Sequence, residues 1–315
     1  MDIDIVAGVH CATGESPIWH AGQQAWYWVD IPARRIWRLD HASGELRRWL
    51  APEMVACIAA AAAPPAAGSA GALIAGMESG IFHLDLMDDG AVAARRLAAP
   101  PPAELGPGMR FNDGRCDRQG RFWSGTMFMD MAAARAVGAL YRYSAREGLH
   151  GPVVANMLTQ NGLAWSPDGR TMYLSDSHPR RRMVWAYDYD VDAGLAHGER
   201  VFADLAGQPG RPDGAAVDAD GCYWSCANDG GVVQRYTPQG KLDRELALPM
   251  AKPSMCAFGG PGLDLMLVTS IDPAGAADGA SGGGRGSDGC GRGAPGAVLL
   301  LRPGVQGVAE TPFGA

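Results

Sequence analysis

Almost nothing in this chain recurs with the 3.6-residue spacing of an amphipathic helix, and no apolar run approaches the ~20 residues of a membrane-spanning helix. The first absence argues against a helical bundle, the second against a membrane anchor. The start, Met1-Asp2-Ile3-Asp4-Ile5-Val6, has neither a basic segment nor a sustained apolar one, so it does not read as a secretory signal. Cysteine is sparse and unpatterned. The seven (Cys11, Cys57, Cys116, Cys222, Cys226, Cys256 and Cys290) are odd in number and form no C-x-x-C, which suits free thiols in a reducing cytoplasm. The seven histidines show no H-x-H or H-E-x-x-H spacing, which argues against a histidine-built zinc site. Net charge is -7, with both signs spread along the chain, so there is no basic face for nucleic acid and an anionic membrane would repel it. We expect a cytoplasmic protein, monomeric or a weak homo-oligomer.

What the chain has in excess is glycine (44) and proline (22), as expected where short strands alternate with tight turns. With 315 residues and 47% hydrophobic content it can fill a large core, as two ordinary domains or as one all-β array. A repeat decides between these. Arg211-Pro212-Asp213-Gly214 opens a short apolar strand, the turn Asp220-Gly221 follows, and the aromatic strand Tyr223–Ala227 comes next. The same unit is headed by Asn112, by Asn161 and by Glu15. A period of about 40–50 residues signals a propeller.

Six units can be drawn, beginning near Gly14, Glu53, Arg110, Thr159, Arg211 and Lys252. The fourth is the clearest, with strands at Leu163–Trp165, Met172–Ser175, Met183–Tyr189 and Glu199–Phe202. The second is worn, with an Ala/Pro/Gly filler from Ala59 to Gly71, and the third carries an insertion from Phe128 to Gly138. The sixth runs to about Pro312. Six units of roughly four strands predict an all-β, six-bladed β-propeller spanning 1–315, with the orphan strand Ile3–Val9 closing the last blade. Asp272 to Gly296, rich in Gly, Ala, Ser and Asp, reads as a flexible loop within that blade.

Three patterns are set aside. Gly279-Ala280-Ser281-Gly282-Gly283 fits G-x-S-x-G and Gly284-Arg285-Gly286-Ser287-Asp288-Gly289 fits G-x-G-x-x-G, but neither stands between a strand and a helix. Asp188, Asp190, Asp192 and Glu199 imitate a calcium loop, yet Ala193 stands where the sharp turn needs glycine, so a charged hairpin edge fits better.

In a propeller the first strand of each blade lines the central channel. Glu15, Asn112, Asn161 and Asp213 head that strand in four units, at what reads as one equivalent position. Singly, each is a turn residue, since Asn-Gly and Asp-Gly are common turn dipeptides. Together they offer two carboxylates and amide oxygens, hard ligands suited to a divalent cation.

Gly14-Glu15-Ser16-Pro17, Arg110-Phe111-Asn112-Asp113-Gly114, Gly125-Thr126-Met127, Asn161-Gly162-Leu163 with Ser166-Pro167-Asp168-Gly169, and Pro212-Asp213-Gly214 resemble, in order, the motifs of the SMP-30/gluconolactonase/LRE-like family, which includes regucalcin and bacterial sugar lactonases. The resemblance implies a six-bladed propeller with one divalent cation (Ca²⁺, Mg²⁺, Mn²⁺ or Zn²⁺) held by Glu15, Asn161 and Asp213. It implies further that Arg110 and Asn112 bind a sugar lactone and that Asp213 doubles as general base. Asp130 stands where family members often have an acidic residue touching sugar hydroxyls. The expected activity is metal-dependent hydrolysis of an aldonolactone. The alternatives are a Ca²⁺-binding regulatory protein of regucalcin type, an interaction platform whose channel residues only cap turns, and a promiscuous metal-dependent esterase, which Trp19, Met127, Phe128 and Met129 keep open.

Overall fold

A computed structural model describes residues 2–275 and 295–315. Most of the glycine-rich stretch and both accidental glycine motifs lie outside the described residues. Six four-stranded antiparallel sheets follow one another in chain order. The first comprises β2 (Gly14–His20), β3 (Ala25–Asp30), β4 (Arg35–Asp40) and β5 (Leu46–Leu50). The second comprises β6 (Val55–Ala60), β7 (Ser69–Met77), β8 (Ile81–Met87) and β9 (Val92–Ala98). β10 (Met109–Cys116), β11 (Phe122–Phe128), β12 (Gly138–Ser144) and β13 (Gly148–Met157) form the third. The fourth is β14 (Gln160–Trp165), β15 (Thr171–Asp176), β16 (Met183–Asp190) and β17 (Leu195–Asp204). The fifth is β18 (Arg211–Val217), β19 (Tyr223–Asn228), β20 (Val232–Tyr236) and β21 (Leu242–Ala247). β22 (Pro253–Gly259), β23 (Leu265–Ser270) and β24 (Leu299–Leu301) complete the sixth with β1 (Ile3–Ile5).

The innermost strands touch in a closed cycle: β2 on β6, β6 on β10, β10 on β14, β14 on β18, β18 on β22 and β22 back on β2. The protein is a six-bladed β-propeller. Its seam is closed by pairing Ile3 with Leu301, Asp4 with Leu300 and Ile5 with Leu299. The closing strand is shorter than the Ile3–Val9 expected; beyond it Val6 N–H still reaches the Val298 carbonyl and Cys11 N–H the Gly296 carbonyl, each at 2.9 Å.

Alternation explains the packing. The inner strands carry apolar residues on both sides, because each blade is covered by a neighbour on both faces. Among the described residues six apolar clusters lie one per blade interface: Tyr27 and Leu73 join the first two blades, Trp123 and Trp165 the third and fourth, Trp224 and Phe258 the fifth and sixth. The worn second blade is regular in space. Its inner strand Val55–Ala60 reaches into the stretch read as filler, which is strand again from Ser69. Val-Ala-Cys-Ile-Ala-Ala carries no polar head and no turn signal, but its small residues suit the narrow centre of the ring. The insertion expected at Phe128 to Gly138 is a surface loop holding one short 3₁₀ turn, Met131–Ala133. The hairpin edge expected at Asp188 to Glu199 is the β16–β17 connection.

The sixth unit ends differently from expectation. Residues 302–315 leave the blade and run beneath the ring, opposite Glu15 and Asp213. Ala219 N–H bonds to Gln306 O at 2.8 Å, Phe313 N–H to Ala60 O at 2.7 Å and Gly314 N–H to Gly120 O at 3.0 Å. Arg115 meets Glu310 at 3.6 Å under the channel, so one end of the channel is closed by the chain's own tail.

Candidate active site at the channel mouth

All six inner strands slip register near their starts. The slips lie between Glu15 and Ile18, Val55 and Cys57, Phe111 and Gly114, Asn161 and Ala164, Pro212 and Ala215, and Pro253 and Cys256. Each is a β-bulge, which breaks strict alternation and re-aims side chains. This corrects the sequence reading of one equivalent position. Glu15 pairs with Val29 and Asn161 with Ser175 before their bulges, whereas Asn112 and Asp213 lie one residue later, inside theirs. The bulge is what lets side chains one position apart serve the same channel.

Asn161 and Asp213 meet directly: Asn161 Nδ2 donates to Asp213 Oδ1 at 2.5 Å, and to Ser177 Oγ at 3.1 Å. Both amide hydrogens are thereby used, and Asn161 Oδ1 is buried with no hydrogen-bond partner among the described residues. Asp213 Oδ2 accepts from Asn228 Nδ2 at 2.7 Å. Burial pushes the Asp213 carboxyl up to about 7, against the pull of Arg211 and the Asn228 hydrogen bond. Glu15, half-buried in the wall, is pushed well above the ordinary carboxyl range by burial first and then by the charges of Asp213 and Asp113. No group of three His, Cys, Asp or Glu side chains gathers as a metal cluster among the described residues. The donor set is instead two carboxylates and one amide oxygen. A bare, buried amide oxygen beside two carboxyls that repel each other fits a hard divalent cation, which would satisfy the first and neutralise the second.

The same geometry sets a pH dependence. The Asp213 carboxyl holds its proton more tightly in the folded chain, near 7 against an ordinary 3.8, so its contribution to stability is full below about pH 4 and lost as pH rises through about 7. In cation-free protein we expect stability to fall across that window, by something on the order of a few kcal/mol. Ca²⁺ should therefore raise the melting temperature of EDTA-stripped protein more at about pH 8 than at about pH 5. Equal increments would mean that the ion does not sit at these carboxyls.

Arg110 and Asn112 are joined, with Arg110 Nη1 donating to Asn112 Oδ1 at 2.7 Å and to Phe111 O at 2.8 Å. Asn112 Nδ2 donates to Gln160 O at 2.6 Å, so both ends of its amide are engaged and it braces the third blade against the fourth. Arg110 Nε and Nη2 make no hydrogen bond among the described residues and remain donors. Asp130 stands apart from this group. It is exposed, and its Oδ1 caps the 3₁₀ turn by accepting from Ala132 N–H and Ala133 N–H at 3.1 and 3.3 Å. His178 Nε2, 3.1 Å from Met131 O, ties that loop to the fourth blade.

Sequence reasoning missed Asp113, Ser177, Arg211 and Asn228. Asp113 shares the bulge of Asn112 and accepts from Leu163 N–H at 2.8 Å through Oδ2, while Oδ1 is buried without a partner. Its signal was present in Asn112-Asp113-Gly114. Ser177 and Asn228 follow or end the second strand of their blades, where Asn228-Asp229-Gly230 reads only as a turn.

Among the described residues no helix is long and apolar enough to cross a membrane. The chain is 38% identical to the 6-deoxy-6-sulfogluconolactonase of Pseudomonas putida over 82% of each protein. It is 34% identical to the L-arabinolactonase of Azospirillum brasilense over 82% of this chain and 81% of that one. Among solved structures, a calcium-binding protein, regucalcin, from Agrobacterium tumefaciens superposes with a TM-score of 0.81 and 25% identity, covering 99% of this chain and 97% of that one. The SMP-30/gluconolactonase/LRE-like region model matches residues 13–272, and with the bulged inner strands and the Glu15, Asn161 and Asp213 motifs in their order, the chain belongs to that family.

Proposed function

We propose that this protein is a lactonase that hydrolyses a sugar lactone to the aldonic acid at the open mouth of the channel, with a divalent cation held by Glu15, Asn161 and Asp213. The observation that carries this reading is the bare Oδ1 of Asn161 beside the raised carboxyls of Asp213 and Glu15. Bound there, the cation supplies Lewis-acid polarisation of a carbonyl oxygen and eases ionisation of water. The chain supplies the rest. Asp213 takes the proton of the attacking water, an effect typically worth roughly 10²–10⁴-fold. Arg110 offers its remaining donors to ring hydroxyls or to negative charge growing on the carbonyl oxygen. Asp130, on the exposed loop, is the acidic residue that the family likeness offers for a sugar hydroxyl. The lactone class follows the relatives: the six-carbon sulfogluconolactone and the five-carbon arabinolactone name the size range.

The test is a pH-indicator assay over five- and six-membered aldonolactones, on EDTA-stripped protein re-loaded with single metals. Acid release that is lost on stripping and returns with one or more divalent cations is the expected outcome. Cation binding without acid release from any lactone would instead support a Ca²⁺-binding regulatory role, the second reading that the regucalcin likeness favours.

A further inference from the structure

We propose that Arg211 is the positioning residue of this site, holding Asn161 and Asp213 in register through two intermediaries; the inference rests on the reading of those residues as cation ligands. The guanidinium has three hydrogen-bonding directions and all are used, two by consecutive residues at the end of β19 in its own blade and one by the fourth blade. Nη2 donates to Asn228 Oδ1 at 2.9 Å, Nη1 to Ser177 O at 3.2 Å and Nε to Asp229 Oδ2 at 2.9 Å. Asn228 then donates to Asp213, and the hydroxyl of Ser177 accepts from Asn161. One side chain thus stands behind both.

The chemistry of the donors makes this directional. Arginine has no acceptor, so it fixes the Asn228 amide with its oxygen toward the guanidinium and its nitrogen toward Asp213. Without that constraint a flipped Asn228 turns a carbonyl oxygen toward a carboxylate. Asn228 is fully buried and Ser177 nearly so, so neither has water to substitute for the lost partner. Arg211 is itself braced, because Lys252 pairs with the other oxygen of Asp229. The two cations and one anion at the rim therefore form a chain from Lys252 to Asp229 to Arg211, ending on Asn228 and Ser177, which touch the two ligand side chains.

A positioning role and a purely electrostatic one predict opposite signs. If Arg211 acts only as a nearby positive charge, removing it strengthens cation binding, and lysine is a full substitute. If it positions, loss of the fork weakens binding whatever the charge, because lysine cannot make three fixed contacts. The experiment is calorimetric titration of EDTA-stripped protein with Ca²⁺ alone, comparing the parent with Arg211→Met and Arg211→Lys, with near-UV circular dichroism as the check on fold. We expect both variants to bind Ca²⁺ about 10–100-fold more weakly, the usual range for residues that orient metal ligands. Asn228→Ala, a smaller change deeper in the same relay, should weaken binding likewise and serves if an Arg211 variant does not fold. Tighter or unchanged Ca²⁺ affinity in Arg211→Met, or unchanged affinity in Asn228→Ala, overturns the proposal while leaving the ligand assignment standing. A parent that takes up no cation overturns the ligand assignment and this proposal with it.

Discussion

Asp213→Asn lowers the rate of lactone hydrolysis by about 10²–10⁴-fold, the range expected when a positioned proton acceptor is removed, while the protein still melts cooperatively. The substitution is nearly isosteric, so the packing of β18 in the ring is kept. Its effect is on protons and donors. An amide cannot take the proton of water, and it brings a third donor into a site where Asn161 Nδ2 and Asn228 Nδ2 already both point at the side chain, at 2.5 and 2.7 Å. One of those contacts becomes donor against donor, so cation affinity falls together with turnover. The measurement is kcat in the indicator assay at saturating metal, with Ca²⁺ affinity by calorimetry. A variant that turns over lactone as fast as the parent removes Asp213 from the role of base.

The largest loss of stability is expected from Asp117→Ala, on the closed side of the ring and outside the chemistry. Asp117 is fully buried at the end of β10 and accepts from Arg121 Nε at 2.6 Å, Tyr189 OH at 2.5 Å and Trp123 Nε1 at 3.2 Å, as well as from the backbone N–H of Gln119 and Arg121. Asp218 repeats the arrangement one blade beyond the next, with Trp224 Nε1 at 2.7 Å and Arg235 Nε at 2.7 Å. Truncating Asp117 takes the counter-charge from the largely buried Arg121 guanidinium, which keeps only neutral acceptors such as Val191 O, and leaves the Tyr189 and Trp123 donors without their acceptor, a loss of about 3–5 kcal/mol. By contrast Asp188→Ala removes an ion pair to Arg200 whose side chains are 58% and 47% exposed, and should change stability by no more than about 0.5 kcal/mol. Scanning calorimetry of the two variants beside the parent distinguishes them. Equal melting temperatures would show that Asp117 is not the anchor of its blade interface.

Much of this architecture could be read before any coordinates. Turn dipeptides, aromatic second strands and an orphan apolar start are local or periodic signals, and they were sufficient to count six blades and to close the ring with the first strand. The second blade's inner strand was missed because Val55–Ala60 carries no polar residue of its own and runs on into the alanines that follow, so it reads as part of an alanine-rich filler. The tail beneath the channel was missed because its contacts are scattered over residues far away in sequence, with no strand pattern of its own.

The motif heads Glu15, Asn161 and Asp213 were legible for the same reason, as repeats of a strand start, and so was the family likeness they carry. Tertiary structure alone decided how they face one another. Asn161 and Asp213 are 52 residues apart and touch only because β14 and β18 are neighbours around the ring. Their aim depends on bulges that shift register by a single residue, and Arg211 stands behind them through contacts to two different blades. A repeat fixes which strand a residue occupies. Only the packing of one strand against the next fixes which atom of its side chain is left free.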